Sequence, residues 1–559
     1  MRTKSAHHRD PSLTPRERAV LAVAAAVLAL VPWSWGGSVP WTVFAGCGFS
    51  LAALLAAVGT LGAQRVALLV WGVLLGASFA FVPADAPAWS HAWLDWTAFP
   101  MCGLAGSAFA AWSMRADLRS RTSAESCADL RRFVPFWAGL AFAAYVAVQA
   151  LNPWVRVDDV EGFWKAQGLA LPKGEATHVL RSLDHVAWLP SGVEAPFSGG
   201  NRLWFGMNAW RVLVTLAGPW LLFCALAVGL PRRRGYVTLG WISVLSAAVV
   251  GAYGLVNQPS WGTVLGVPVP HNAATFGPFL QRTHAAVYLY LHVALALALG
   301  FWHLRRSAEH ASLGGPHLLA GFAALTLAAV AAMVNSMGAV AVLALLFFVV
   351  LPLAWKVGLR SAGFDVKDGA FYAAVAALFA ALALLSVADF GQLEKKLHSK
   401  LAAFSASGTD DRAPYRRATW AMATEGGLTG RVWCGWGAGS YRWISPPYQA
   451  VQPELLRQDG SMRYRAHYAH NDWLQLLAEV GILGCLPALV ALGWLLRRLR
   501  LAFVPGRPEA VVLGGTLLLF ALHAWFDLLV WFTPVLYALA LVTSALLAFL
   551  VRSSSAPEA

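Results

Sequence analysis

Long apolar runs separated by short polar segments dominate the pattern of this chain. Fourteen runs are long enough to cross a membrane as helices, because about 20 predominantly apolar residues span the hydrocarbon core. The runs cover 19–36, 41–60, 65–83, 98–114, 133–151, 211–230, 235–256, 282–302, 317–333, 337–355, 370–388, 471–496, 510–528 and 532–551. The divisions at 333/337 and 528/532 are the least distinct. The pattern predicts an all-α polytopic membrane protein with twelve to fourteen transmembrane helices.

The positions of lysine and arginine orient these helices. The short loop 115–132 is basic, whereas 84–97 and 257–281 contain neither lysine nor arginine. Cytoplasmic loops carry an excess of these residues. Both termini are therefore predicted to be cytoplasmic, and two sizeable loops, 152–210 and 389–470, are predicted on the outer side.

The same map divides the chain into regions. A basic cytoplasmic tail, 1–18, precedes an apolar run without a convincing cleavage site, so we expect a retained signal anchor. The predicted regions that follow are the helices of 19–256 with the outer loop 152–210, then 257–551 with the outer loop 389–470, and a cytoplasmic tail, 552–559.

Composition supports a membrane protein and excludes other classes. The chain is 58% hydrophobic and 13% charged, whereas soluble domains carry about 25% charged residues. The six cysteines are scattered and predict no disulfide framework. The net charge of +14 follows the predicted topology, so it does not indicate nucleic-acid binding.

The loop 389–470 favours an anionic ligand. It contains eleven basic and seven acidic residues, and arginine binds phosphate through two parallel, charge-assisted hydrogen bonds. A solvated loop that touches lipid headgroups is the alternative. Arg282, close to His284, begins an apolar run from the outer side, where an arginine either meets an anion or extends to the headgroups.

The segment 465–484, RAHYAHNDWLQLLAEVGILG, passes from a charged loop directly into an apolar run. His467 and His470 lie at this boundary, where a water-facing imidazole backed by buried polar groups can perform chemistry. A metal site made of these histidines and Asp472 is the alternative, but a third strong ligand is not evident.

Helical spacing assigns a structural role to the acidic residue deeper in this run. In a regular helix Glu479 lies nearly opposite His470, so a direct pair is not expected. A buried carboxylate needs a partner, and we expect His523 to supply it. Gly481 and Gly484 are expected to allow close helix packing. The segment GWGAGSY, 435–441, lacks the spacing of a dinucleotide fingerprint and indicates a backbone turn near a sugar or a neighbouring helix.

Four stretches resemble the O-antigen ligase and polymerase superfamily of bacterial membrane glycan transferases. They are FGPFLQRTHAAVYL, RRATWAMA with GWGAGSY, AHNDWLQLLAEVGILG and, less closely, HAWFDLLVW. One departure is the turn 335–338, Asn-Ser-Met-Gly, where the family often carries Ser-Arg-Gly. If that arginine helps to hold phosphate, an arginine between 412 and 417 has to compensate.

The resemblance implies transfer of a glycan from a polyprenyl pyrophosphate carrier to an acceptor hydroxyl, at the periplasmic face of the bacterial inner membrane. The acceptor is a glycan, lipid A core or a protein. No cofactor or metal is expected, because the donor is already activated and the sequence has neither a phosphate-binding P-loop nor an Asp-x-Asp. Under this resemblance we expect His470 to act as general base or to orient the acceptor hydroxyl. Pyrophosphate binding is expected of Arg282 and Arg416, with Arg412 and Arg417 as further candidates. Supporting roles are expected for His467, Asn471, Asp472, Glu479, His284, His523 and Asp527; for Glu479 and Asp527 a structural role is favoured.

Other functions stay open. A polymerase of repeat units or a protein O-oligosaccharyltransferase would use the same scaffold, and the product lost on deletion of the chain distinguishes them. A polysaccharide or lipid transporter is a different class. The sequence shows neither the internal repeat nor the paired broken helices common in transporters, which argues against that class.

Overall fold

The computed structural model describes residues 12–34, 40–80, 91–115, 123–158, 179–195, 207–257, 263–265, 267–268, 275–308, 315–334, 336–359, 412–427, 430–457, 466–503 and 507–551. The apolar runs within these ranges form helices. In the first half of the chain they are α1 Pro15–Leu30, α2 Pro40–Val58, α3 Leu61–Ala80, α4 His91–Met114, α5 Ser123–Arg132, α6 Val134–Leu151, α7 Ala209–Gly229 and α8 Arg233–Asn257. In the second half they are α9 Arg282–Ala308, α10 Pro316–Met333, α11 Met337–Leu345, α12 Leu351–Ala354, α13 Ala413–Ala423, α14 Tyr441–Ile444, α15 Pro446–Ala450, α16 Asp472–Leu499, α17 Pro508–His523 and α18 Thr533–Val551.

The long helices confirm a polytopic, mainly helical membrane protein. In the described part of the chain, ten helical segments are long and apolar enough to cross a membrane. One of them joins α11 to α12 through the π-helical turn Leu346–Val350. The apolar run 370–388 lies outside the described residues, so the count of fourteen helices stays a prediction, as does the cytoplasmic position of the termini.

Helix α9 forms the centre of the bundle. Its membrane-length segment is 94% buried, and it packs against α8, α10, α17 and α18. A helix that is apolar on all sides is stable in this position because every face meets another helix. The first residue of α9 is Arg282, so this central helix also fixes one residue predicted to bind phosphate.

Polar loops add small elements that the apolar pattern did not predict. Strands β1 Pro153–Asp158, β2 Val179–Ser182 and β3 Gly192–Glu194 form a sheet in the order β2-β1-β3. β1 runs antiparallel to β2 and parallel to β3, with Arg156 opposite Arg181 and Glu194. A short hairpin pairs β4 Thr263–Val264 with β5 Val267–Pro268. The short helices α13 to α15 fold much of 412–450 into a cap over the start of α16.

Candidate functional site

His470 occupies a strained turn directly before α16. Its φ of 50° is in the left-handed region, which non-glycine residues rarely adopt and which is found at functional sites. Asn471 is the N-cap of α16, and its Oδ1 accepts a hydrogen bond of 2.9 Å from the Leu474 N–H. The helix begins after this cap, so His470 lies outside it. The turn leaves the imidazole 36% exposed, as a group that meets a ligand requires.

Asp527 joins this imidazole to a guanidinium. Its Oδ1 lies 3.6 Å from His470 Nδ1, and its Oδ2 lies 3.1 Å from Arg412 Nη1. Arg412 also donates to the Phe526 carbonyl. The sequence placed Asp527 on a helix and favoured a structural role for it. The placement on a helix was wrong, because α17 ends at His523 and Asp527 lies in the following turn, facing His470; its role stays a prediction.

The environment keeps Asp527 ionised. Burial alone would raise the pKa of this carboxyl, but the neighbouring His470 imidazole and the charge of Arg412 lower it more strongly. The pKa of Asp527 is therefore below its ordinary value of 3.8. A charged carboxylate beside Nδ1 favours a proton on that nitrogen, which leaves Nε2 as the basic atom of the ring.

Asp472 fixes the turn that carries Asp527. Its Oδ2 accepts hydrogen bonds from the N–H groups of Leu529 at 2.7 Å and Val530 at 3.1 Å. Its own N–H donates to the Ala524 carbonyl at 2.9 Å. Asp472 is 3% exposed. These bonds tie the start of α16 to the connection between α17 and α18, so His470 and Asp527 are held by one rigid junction.

The predicted phosphate-binding arginines separate into two groups. Arg412 precedes α13, and Arg416 lies one turn along that helix. The ring of Tyr415, between them, lies 6.0 Å from the ring of His470. Arg417 instead donates to Gln452 and pairs with Glu454 at 2.5 Å, on an exposed face.

Arg282 approaches the same junction from α9. Two residues later, His284 bonds through Nε2 to the Leu528 carbonyl at 3.2 Å, and its ring stacks on Phe532. His284 thus fastens the start of α9 to the turn that contains Asp527. Among the described residues, no hydrogen bond or ion pair joins Arg282 to Arg412, Asp527 or His470.

Glu479 organises the glycine turn rather than the imidazole. Its carboxylate accepts hydrogen bonds from the Gly439 N–H at 2.8 Å, the Tyr441 N–H at 3.2 Å and Gln475 Nε2 at 3.0 Å. His523 was expected to be the partner of Glu479, and this expectation was wrong. His523 lies 3.4 Å from the Tyr290 hydroxyl, and its ring covers Gly338. Gly338, in the segment that departs from the family pattern, thus packs against a residue one turn before Asp527.

The glycines make the close approach between this turn and α16 possible. Gly481 has φ 66° and ψ −175°, a conformation that is essentially restricted to glycine. A Cβ there would lie 2.4 Å from the Trp433 carbonyl. A Cβ on Gly435 would lie 2.3 Å from the Glu479 carbonyl, and one on Gly484 would lie 2.7 Å from Tyr145. Close packing at Gly481 and Gly484 is confirmed, but the helical regularity assumed from His470 through Glu479 is not.

His467 lies in a separate contact. Its Nδ1 accepts a 3.0 Å hydrogen bond from Arg442 Nε, and burial lowers the pKa of that arginine. Across the described part of the chain, no group of three histidine, cysteine or acidic side chains is placed to hold a metal ion. The expected independence from metals and cofactors stays a prediction.

Comparison with known proteins identifies part of the chain. Residues 320–489 match a family model described as O-antigen ligase. The match includes His470, Arg412 and Glu479, whereas Arg282 and Asp527 lie outside it. No curated protein matches the sequence. Residues 320–489 of this multi-pass membrane protein are therefore similar to the O-antigen ligase family.

Proposed function

We propose that this protein is a membrane glycosyltransferase that moves a glycan from a polyprenyl pyrophosphate to an acceptor hydroxyl at the periplasmic face. The observation that carries the proposal is the arrangement of His470, Asp527 and Arg412. It combines a half-exposed base, a carboxylate that orients it and a cation for a departing phosphate. The similarity of residues 320–489 to the O-antigen ligase family also supports glycan transfer in the membrane as the class of reaction.

His470 acts as the general base in this proposal. The acceptor hydroxyl gives its proton to Nε2 while its oxygen forms a bond to the anomeric carbon of the donor glycan. The bond between that carbon and the pyrophosphate oxygen breaks, and the electron pair leaves with the polyprenyl pyrophosphate. Asp527 positions Nδ1 and stabilises the imidazolium that forms, as a carboxylate next to a catalytic histidine does.

The arginines stabilise the leaving group. In this proposal the three guanidinium groups of Arg282, Arg412 and Arg416 act together, against the one carboxylate of Asp527. Their net charge of +2 matches a lipid pyrophosphate diester, which carries one negative charge on each phosphate. Fixed cations aimed at developing negative charge supply electrostatic stabilisation without a metal. Arg417 is the weakest contributor, because Glu454 already pairs with it.

The side of the membrane follows from charge. Helices α5, α9 and α16 end in pairs of arginines, at positions 131 and 132, 305 and 306, and 497 and 498. By the positive-inside rule these ends are cytoplasmic. His470, at the opposite end of α16, then faces the periplasm, where activated lipid-linked glycans meet their acceptors.

Transfer in a purified system tests the proposal. The full chain is reconstituted with a synthetic polyprenyl pyrophosphate glycan and, separately, with lipid A core, a second glycan repeat or a protein acceptor, each with and without a chelator. We expect transfer to one acceptor that is insensitive to the chelator. His470→Ala should lower the rate at least 100-fold, while membrane insertion is retained. His185→Ala, in the exposed segment 179–195, is the matched control and should leave the rate unchanged.

Two results contradict the proposal. One is wild-type transfer by His470→Ala. The other is accumulation of the lipid-linked glycan in proteoliposomes without transfer to any acceptor, which would identify a transporter. The acceptor used distinguishes a ligase from a polymerase or a protein O-oligosaccharyltransferase.

A further inference from the structure

A cavity lies at the end of the helix bundle away from His470. It has a volume of about 350 Å³ and is formed where α5, α7, α8, α16 and α18 meet. Arg498 lines it near the end of α16. Asp472, beside His470, begins the same helix 26 residues earlier. At 1.5 Å per residue this spacing is about 39 Å along a straight helix, so the cavity is remote from His470.

The charged residues of this cavity leave it net positive. Arg132 and Arg498 line it together with one acid, Asp129. The Arg498 guanidinium lies 5.3 Å from the centre of the Trp494 ring, which also lines the cavity. Within the described part of the chain neither arginine forms an ion pair. The lining therefore holds two guanidinium groups and one carboxylate.

Neighbouring arginines at the same end of the bundle are compensated. Arg232, which directly follows the cavity residue Pro231, pairs with Glu17 at 2.9 Å. Arg305 pairs with the buried Glu509 at 2.6 Å. Acidic side chains thus balance the charges of Arg232 and Arg305 within the fold. The net positive charge of the cavity is not balanced in this way.

The remaining walls of the cavity are apolar. Phe133, Val228, Leu230 and Leu547 line it with the ring of Trp494. A wall of this kind suits a hydrocarbon chain, while arginines at the membrane surface suit phosphate. The volume is at the lower end of the range of ligand pockets, about 300–1,000 Å³, which fits one lipid headgroup and the beginning of its acyl chains.

We propose that this cavity binds the phosphate headgroup of an anionic phospholipid of the cytoplasmic leaflet. Its net charge of +1 complements the single negative charge of a phosphodiester such as phosphatidylglycerol. The planar guanidinium groups can bind the phosphate oxygens in pairs, and the aromatic and aliphatic walls receive the glycerol and acyl segments. The lipid would join α5, α7 and α16 at one end of the bundle, so its binding stabilises the folded protein. This inference does not depend on the proposed glycan transfer.

Lipid-dependent stability tests the site. The Tm of the purified full chain is measured in nanodiscs of phosphatidylcholine, with and without added phosphatidylglycerol, and in phosphatidylcholine with inorganic phosphate. The affinity for phosphatidylglycerol is measured by native mass spectrometry. We expect phosphatidylglycerol alone to raise the Tm. The double variant Arg132→Gln, Arg498→Gln should bind it about 30-fold more weakly, which corresponds to about 2 kcal/mol.

Arg497→Gln is the matched control, because Arg497 neighbours Arg498 without lining the cavity. It should keep the response of the wild type. Equal stabilisation by both phospholipids, or an unchanged affinity in the double variant, overturns the proposal. Full stabilisation by inorganic phosphate overturns it as well, because the site would then bind free phosphate. If the double variant does not fold, the single variants are compared, and each should lose part of the affinity.

Discussion

Replacement of Asp527 by asparagine tests the geometry of the site most directly. Asparagine has the shape of aspartate, and its Oδ1 can still accept from the Leu528 N–H, as Asp527 does at 2.9 Å. The change removes the negative charge between His470 and Arg412 and places an amide NH₂, a donor, where Oδ2 faces Arg412 Nη1. We expect the variant to fold and insert normally and to transfer glycan slowly.

The size of the effect follows from the distances. Two unit charges separated by 3.6 Å, the distance from Asp527 to His470, interact by roughly 5 kcal/mol at an effective dielectric constant of about 20. Solvent screens this value, because the imidazole is 36% exposed and the Arg412 side chain 31% exposed. A loss of about 1.5–3 kcal/mol of transition-state stabilisation is more realistic, as for one hydrogen bond to a charged group that tightens when the imidazolium forms. The rate should therefore fall about 10- to 150-fold.

The assay separates positioning from folding. Initial rates of transfer give kcat and KM for Asp527→Asn, Asp527→Glu and the wild type, and thermal unfolding is measured on the same samples. If Asp527 positions the base, kcat falls more than KM rises, and glutamate restores part of kcat because it returns the charge. Glu454→Gln is the matched control, since it removes a carboxylate from the exposed pair with Arg417.

Two outcomes would refute this reasoning. Asp527→Asn could transfer within twofold of the wild-type rate while His470→Ala is inactive, and the carboxylate would then not orient the base. Alternatively, Glu454→Gln could lose as much activity as Asp527→Asn. The loss would then reflect the overall charge of the loop, and the distances at His470 would not explain it.

Three further predictions concern charge and backbone. The pKa of Asp527 is lowered in the folded protein, so its stabilising charge is fully present above about pH 4 and is lost only as the pH falls through that lower value. The difference in Tm between wild type and Asp527→Asn should therefore not decrease from pH 8 to pH 5; a difference that shrinks towards pH 5 contradicts the lowered pKa. Gly481→Ala should lower the free energy of unfolding by about 1–3 kcal/mol, because alanine cannot adopt this φ and ψ without strain and its Cβ would lie 2.4 Å from the Trp433 carbonyl. Thermal unfolding measures the loss, and Gly493→Ala, in open space on the same helix, is the control. Glu479→Gln should lower the free energy of unfolding by about 1–3 kcal/mol, because its amide NH₂ would face the backbone N–H groups that now donate to the carboxylate. An unchanged Tm would show that the hydrogen bonds to Glu479 stabilise the fold little.

Hydrophobic patterning predicts the helices of this chain well because the membrane imposes one requirement on all of them. A segment in lipid has to satisfy its backbone internally, so length and apolar content are sufficient to find it. The cap of α16 was not predicted, because the expected run began at Asn471 itself, which instead precedes the helix and accepts from the Leu474 N–H. The strand β1 was not predicted either, because its six residues pair with segments 20 to 40 residues away in a polar loop.

The partner of His470 could not be found by local spacing. Asp527 is 57 residues away in sequence, and the apolar character of HAWFDLLVW extends the apparent helix past its real end at His523. A helix interior would have turned Asp527 away from the loop. Asp472 binds the backbone N–H groups of Leu529 and Val530. Every residue except proline has such a group, so the amino-acid types at these positions do not predict the contact.

The two buried acids of the histidine segment explain why the orienting carboxylate comes from elsewhere. Asp472 is bonded to the N–H groups of the α17–α18 connection, and Glu479 to those of the glycine turn. Each carboxylate fixes a backbone loop against α16. In the described part of the chain neither carboxylate forms a hydrogen bond to His470; the contacts of Asp472 use Oδ2, and those of Glu479 use both of its oxygens. The connection fixed by Asp472 is the one that presents Asp527 to the imidazole. Asp472→Asn should therefore impair transfer through a displaced Asp527, and a structure of that variant with the distance between His470 and Asp527 unchanged would contradict this dependence.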